Sequence, residues 1–227
     1  MIKSGIDQQA LIDMFANASA KQTEQLRQAV YQATLGALQG RELSLKNIRG
    51  VLGAVSQAAG AGVAKNPLAG VDADALLDKA VTGMDEALLK AVEANRVALQ
   101  QFVDKGADLR ETHLKKALDD LEKYEDMLLG VVKKSAGAAG DPLAGAWSQV
   151  AEKLQLQGSL SGTQAGAAAE QLAAQMQTAM RESRAAGLRA VQALADSYGA
   201  LVSGVLIGMS DALNQGGAAQ AKPGRKR

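Results

Sequence analysis

The stretch from Ala73 to Asp104, ADALLDKAVTGMDEALLKAVEANRVALQQFVD, carries apolar side chains at a spacing close to the heptad repeat of a coiled coil. These apolar positions are Leu77, Val81, Met84, Leu88, Val92, Leu99 and Phe102. Apolar residues that recur every three or four positions lie along one face of an α-helix. The stretch therefore predicts a long amphipathic helix over residues 73–105, with Asp72 or Asp74 as its N-cap residue.

The composition of the whole chain favours helix in the same way. Of 227 residues, 47% are hydrophobic but only 3% are aromatic, and 45 alanines stand beside 24 glycines. Alanine is the strongest helix former, whereas the β-branched and aromatic residues that favour sheets are scarce. We therefore expect an all-α protein, an elongated antiparallel bundle of four to six helices with coiled-coil-like seams.

Apolar periodicity divides residues 1–215 into helical segments of a single predicted domain. The predicted helices cover about residues 6–39, 44–64, 73–105, 108–134, 144–156 and 163–213. Ser44 is the predicted N-cap of the second helix, and Asn66-Pro67 is its predicted end. Residues 73–134 form either one long helix or two helices that meet at Gly106. A loop is expected over 158–162, and residues 216–227 are expected to be a disordered tail.

Several kinds of catalytic and metal site are excluded or disfavoured by the residue types present. The chain has no Cys and a single His, His113, which rules out disulfides, thiolate nucleophiles and metal sites with two histidines. The acidic patch Asp119, Asp120, Glu122, Glu125 and Asp126 lacks the Glu-x-x-His pairs of a di-iron bundle, and a solvated helix face explains it better. No phosphate-binding loop motif occurs. We expect no enzyme activity, no metal and no cofactor.

Charge is nearly balanced along the chain, with 25 Lys and Arg residues against 24 Asp and Glu residues. The exception is the basic tail, formed by Lys222, Arg225, Lys226 and Arg227. A dedicated nucleic-acid-binding protein shows a stripe of basic charge, and four residues make a weak anchor for phosphates. We therefore predict no specific nucleic-acid partner, and the tail is either a solubilising end or a weak contact for phosphates of nucleic acid or lipid.

The apolar strip, residues 198–209, is the sequence feature that points most directly to a partner. Its candidate contact residues are Tyr198, Leu201, Val202, Val205, Leu206 and Met209. The strip is either a helix buried at the centre of the bundle or an exposed surface that docks on a hydrophobic phase or on a second copy of the chain. It is shorter than the roughly 20 apolar residues of a membrane-spanning helix.

No targeting segment is evident at the start of the chain, because its first residues lack the continuous apolar core of a signal peptide. The expected location is therefore the cytoplasm, including the periphery of a granule or a membrane.

Long helices rich in Ala and Gln, the absence of Cys, scarce aromatic residues and the basic tail make the chain similar to the phasins. These bacterial proteins coat polyhydroxyalkanoate granules with amphipathic helices. The segments that carry the resemblance are Ala20-Lys-Gln-Thr-Glu-Gln-Leu-Arg-Gln-Ala29 and Ala173-Ala-Gln-Met-Gln-Thr-Ala179. The resemblance is one of composition and implies a function but no site residues. The segment Leu114-Lys-Lys-Ala-Leu-Asp-Asp-Leu121 also resembles an uncharacterised proteobacterial all-helical family of unknown function.

Three functional hypotheses follow from these patterns. The first is a non-enzymatic, phasin-like amphipathic protein that binds a hydrophobic surface or granule. The second is a structural protein that oligomerises with residues 198–209 as a dimer seam. The third is a helical protein that inserts into membranes through the same residues.

Overall fold

A computed structural model describes residues 5–19, 22–39, 44–66, 72–104, 119–120, 123–140, 143–182, 204–207 and 209. Within these ranges the chain forms seven α-helices, with further helical residues at 119–120, 204–207 and 209, and no β-strand. The predicted all-α class is confirmed, whereas the predicted number of four to six helices is too low. The helices are α1 (Gln8–Ala16), α2 (Thr23–Leu38), α3 (Leu45–Lys65), α4 (Ala73–Asp104), α5 (Tyr124–Ala138), α6 (Leu143–Gln157) and α7 (Leu160–Glu182).

Helix α4 lies at the centre of the bundle. It contacts α2, α3, α6 and α7, and none of residues 73–101 is exposed. The predicted apolar stripe is buried from Leu77 to Leu99, and further alanines are buried along one side of it: Ala80, Ala87, Ala91, Ala94 and Ala98. Because an alanine side chain is small, this side of α4 allows a neighbouring helix to pack closely. Helices α1 and α5 pack on α3 at the edge of this arrangement, and α5 also contacts α6 and α7.

Two predicted N-caps are confirmed by the hydrogen bonds at the helix starts. The Ser44 hydroxyl accepts a hydrogen bond from the Asn47 N–H at 3.3 Å at the start of α3. The Asp72 carboxylate accepts hydrogen bonds from the N–H groups of Asp74, at 3.0 Å, and Ala75, at 3.4 Å, at the start of α4. These side chains satisfy N–H groups that have no partner inside the helix.

The prediction of one helix over residues 6–39 is wrong, because the chain leaves the helix after Ala16. Asn66, at the end of α3, donates hydrogen bonds from its side-chain amide to the carbonyl oxygens of Phe15 and Ala18, both at 2.9 Å. These bonds satisfy carbonyl groups that a continuing helix would have used itself. Ala18 remains buried, so the apolar spacing continues although the helix has ended.

The predicted loop over 158–162 is also wrong, because only Gly158 and Ser159 separate α6 from α7. Gly158 has a φ of 73°, a left-handed conformation that favours glycine after a helix end. Helix α7 therefore begins at Leu160, three residues before the predicted start.

Several predictions concern residues outside the described ranges. They include the alternatives of one or two helices over 73–134, the start of the helix predicted at 108 and the tail at 216–227. Helix α5 itself ends at Ala138, four residues beyond the predicted end.

Candidate apolar surface between two helices

The apolar strip at 198–209 lies only partly within the described residues. Leu206 is fully buried, and Val205 and Met209 are half-buried against the core, whereas Ile207 is 39% exposed. Leu206 thus contributes to the core of a single chain, as expected if this part of the strip is buried in the bundle. Tyr198, Leu201 and Val202 lie outside the described ranges, and so does the basic tail.

Two other leucines are more exposed than Ile207, the most exposed large apolar side chain among the described residues of the strip. Leu156, at the end of α6, is 80% exposed, and Leu160, at the start of α7, is 57% exposed. They flank the two-residue turn of Gly158 and Ser159. We call the segment 156–160 the apolar corner.

A weak signal for the apolar corner is visible in the sequence. Leu156 follows Leu154 by two residues, which is about half a helical turn. A side chain at that position lies opposite the stripe of Trp147, Val150 and Leu154 that packs on the core. Leu160 gave no such signal, because the predicted loop included it.

Asp85 of α4 fixes the apolar corner to the centre of the bundle. Its carboxylate, only 6% exposed, accepts hydrogen bonds from the N–H groups of Leu160, at 2.7 Å, and Ser161, at 3.0 Å, and from the Ser161 hydroxyl. The Ser159 hydroxyl accepts a further hydrogen bond from the Gly162 N–H at 2.9 Å. A carboxylate at this place also complements the positive end of the helix dipole. The start of α7 is therefore capped by a residue from another helix.

A cleft of about 300 Å³ lies beneath the corner, between α4, α6 and α7. Its apolar lining residues are Val81, Val150, Leu154 and Leu160. Asp78 and Lys153 also line the cleft and form an ion pair at 2.8 Å. The cleft therefore combines an aliphatic wall with charges that neutralise one another.

The hydroxyl groups at the cleft are also paired within the chain. Thr82 donates to the Asp78 carbonyl at 2.8 Å, and Thr163 donates to the Ser159 carbonyl at 2.9 Å. Together with the bonds at Asp85, these contacts leave the aliphatic wall and the exposed Gln157 side chain as the groups offered to a ligand.

Ion pairs between and within helices account for most of the shifted pKa values in the described residues. Hydrogen bonds from Arg27 hold the pKa of the Glu24 carboxyl below its usual value, and Arg27 also pairs with Glu86 to join α2 to α4. Arg96 lowers the pKa of Glu93 in the same way within α4, with an N–O distance of 2.6 Å. These pairs stabilise helices and their packing.

One buried polar pair lies in the core between α4 and α5. The Asn95 side-chain amide donates to the Tyr124 hydroxyl at 2.8 Å and to the Ala91 carbonyl at 3.1 Å. Burial, together with the charge of Asp120, raises the pKa of the Tyr124 hydroxyl. The tyrosine therefore stays neutral and supplies a hydrogen bond that fixes α5 on α4.

The residues considered for a metal site are only partly described. Asp119 and Asp126 are exposed and Asp120 is half-buried, as a solvated helix face requires. His113, Glu122 and the Glu125 side chain lie outside the described parts of the chain. Across the positions that are described, no group of three or more potential ligands is close enough to hold a metal ion.

None of the described helices has the length and apolar character needed to cross a membrane.

The arrangement defines an all-α helical bundle with an exposed apolar corner above a small aliphatic cleft. The chain belongs to DUF6781, a family of unknown function, whose family model matches residues 1–215. No curated protein and no solved structure shows significant similarity to the chain.

Proposed function

We propose that the protein is a non-enzymatic helical protein that binds a hydrophobic surface or granule, as the phasins do, and that the apolar corner makes the first contact. The observation that carries the proposal is the exposure of Leu156 and Leu160, at 80% and 57%, on two sides of one turn. Full burial of a leucine side chain stabilises by roughly 1.5–3 kcal/mol, so covering both exposed fractions contributes about 3 kcal/mol. Binding through this corner alone is weak and reversible.

The alanine-rich core supports a second stage of binding, in which helices leave their neighbours in the bundle and pack against the apolar phase. Of the 42 hydrophobic residues found buried in the described ranges, 15 are alanines, and each contributes less to packing than a leucine. Helix α7 shows this most clearly, because over residues 160–175, where its side chains are described, the buried hydrophobic residues are Ala165, Ala168, Ala169 and Leu172. Detaching α7 from the bundle therefore costs less than detaching a leucine-rich helix of the same length.

Flotation with phosphatidylcholine vesicles and with polyester particles tests this proposal. We expect the wild-type chain to float with at least one of them. The double variant L156Q/L160Q should bind roughly a hundredfold more weakly, because its corner lacks the apolar side chains whose burial contributes about 3 kcal/mol. The Met14→Gln variant is the matched control, since it removes another partly exposed apolar side chain, on α1. A wild-type chain that never floats, or equal losses in both variants, would contradict the proposal.

Self-association through residues 198–209 is the second candidate, and the exposure of Ile207 beside the buried Leu206 favours it. An Ile207→Ser variant should then shift the chain toward monomer in light scattering, whereas L156Q/L160Q should not. A wild-type chain that is monomeric across the micromolar range removes this candidate.

A further inference from the structure

The cleft beneath the apolar corner has the lining of a binding site for a small apolar group. Its volume of about 300 Å³ is at the lower end of the range of ligand pockets. Val81 and Val150 form its buried wall, and Leu154 is half-buried beside them. No aromatic side chain occurs among the lining residues in the part of the chain that the structure describes. Aliphatic contact is therefore favoured over the stacking of a planar ring.

The polar groups of the cleft do not favour a charged ligand inside it. Lys153 neutralises Asp78, and the N–H groups at the start of α7 already donate hydrogen bonds to the Asp85 carboxylate. A phosphate or carboxylate that entered would lose its hydration and would have to displace one of these bonds, which costs free energy. The group that enters is therefore uncharged.

The position of Leu160 connects the cleft with the surface. This side chain lines the cleft and is 57% exposed, so it belongs both to the cleft wall and to the apolar corner. An unbranched alkyl chain that reaches the corner can enter the cleft by its end and remain in contact with aliphatic side chains.

From these observations we propose that the cleft between α4, α6 and α7 binds the methyl end of a single unbranched alkyl chain, such as the acyl chain of a fatty acid. The inference rests on the proposed function and deepens it, because it gives the corner a specific ligand chemistry. The apolar corner then adsorbs to the surface of the apolar phase, and the cleft binds one alkyl chain from that phase.

Titration with decanoate, followed by NMR of labelled valine and leucine methyl groups, tests the cleft. We expect saturable shifts for Val81, Val150 and Leu154. Decanedioate is the matched control ligand, because it has the same length but carries a charge at both ends. It should give no saturable shifts, since its entry would bury a carboxylate.

A variant that blocks the opening of the cleft tests decanoate binding without altering the core. Thr163 lines the cleft and is exposed, so a Thr163→Phe substitution should narrow the opening without disturbing the core. Decanoate should bind this variant about tenfold more weakly, because about two methylene groups are kept out of the cleft. Equal shifts with both ligands, or unchanged affinity in the variant, would overturn the proposal.

The two proposals fail in different ways. A chain that floats with vesicles but shows no methyl shifts retains the proposed function and loses the cleft. A chain that binds decanoate in the cleft but never floats retains the cleft site and loses the surface-binding function.

Discussion

Replacing Gly62 by alanine is expected to lower the free energy of unfolding by about 3 kcal/mol, because helices α1 and α3 touch at this glycine. An added Cβ atom would clash with the Phe15 Cβ and would lie 2.6 Å from the Ile12 carbonyl oxygen. The second contact is to backbone, so α1 as a whole would have to move. Urea denaturation of the purified variant measures the loss.

The control for this substitution lies in the same helix. Gly50 is exposed, and a Cβ atom there would meet nothing within 4 Å. Gly50→Ala should therefore stabilise the protein by up to about 1 kcal/mol, since alanine is the better helix former. Equal stability of the Gly62→Ala and Gly50→Ala variants would show that α1 does not pack on α3 in this way.

The second large effect is expected at Asp85. The Asp85→Ala variant should lose about 3 kcal/mol, because it leaves the partly buried N–H group of Leu160 and the buried N–H group of Ser161 without their acceptor. Asp85→Asn keeps one carbonyl acceptor and should lose about half as much. Hydrogen exchange at the first turn of α7 should accelerate in both variants.

Asp78 provides the control on the same helix, because its pair with Lys153 lies at a more exposed position. The Asp78→Asn variant should lose less than about 1 kcal/mol, as expected for a partly exposed ion pair. A variant of Asp85 that is no less stable than Asp78→Asn, with unchanged exchange at residues 160–161, would contradict the capping role.

Local patterns were sufficient to predict the central helix. The spacing of Leu77, Met84, Leu88 and Leu99 and the cap at Asp72 are all contained within about 30 residues of sequence, and the structure confirms them. The class of fold was also predictable, because alanine abundance and the scarcity of aromatic residues favour helix throughout.

The two wrong boundaries depend on partners distant in sequence. Asn66, 51 residues after Phe15, donates a hydrogen bond to the Phe15 carbonyl at the end of α1. Asp85, 76 residues before Ser161, accepts a hydrogen bond from the Ser161 N–H at the start of α7. A periodic pattern contains no information about such bonds. Both errors therefore occur where tertiary contacts determine a helix end.

The candidate surface was harder to predict for a related reason. Exposure depends on which helices cover a face, so the apolar strip and the apolar corner could not be ranked from composition alone. Leu206 is covered by the core, whereas Leu156 lies beyond the stripe of its own helix and remains exposed. Hydrophobicity indicated residues able to bind an apolar phase, and packing determined which of the described ones are exposed.

The most direct test of the proposed surface uses the absence of cysteine in the chain, since a single introduced Cys can carry one environment-sensitive fluorophore. With the label at Leu156→Cys, adding phosphatidylcholine vesicles or polyester particles should shift the emission to the blue and increase its intensity. With the label at Gln28→Cys, on the exposed face of α2, neither should change. No response at position 156, or an equal response at position 28, would contradict binding through the apolar corner.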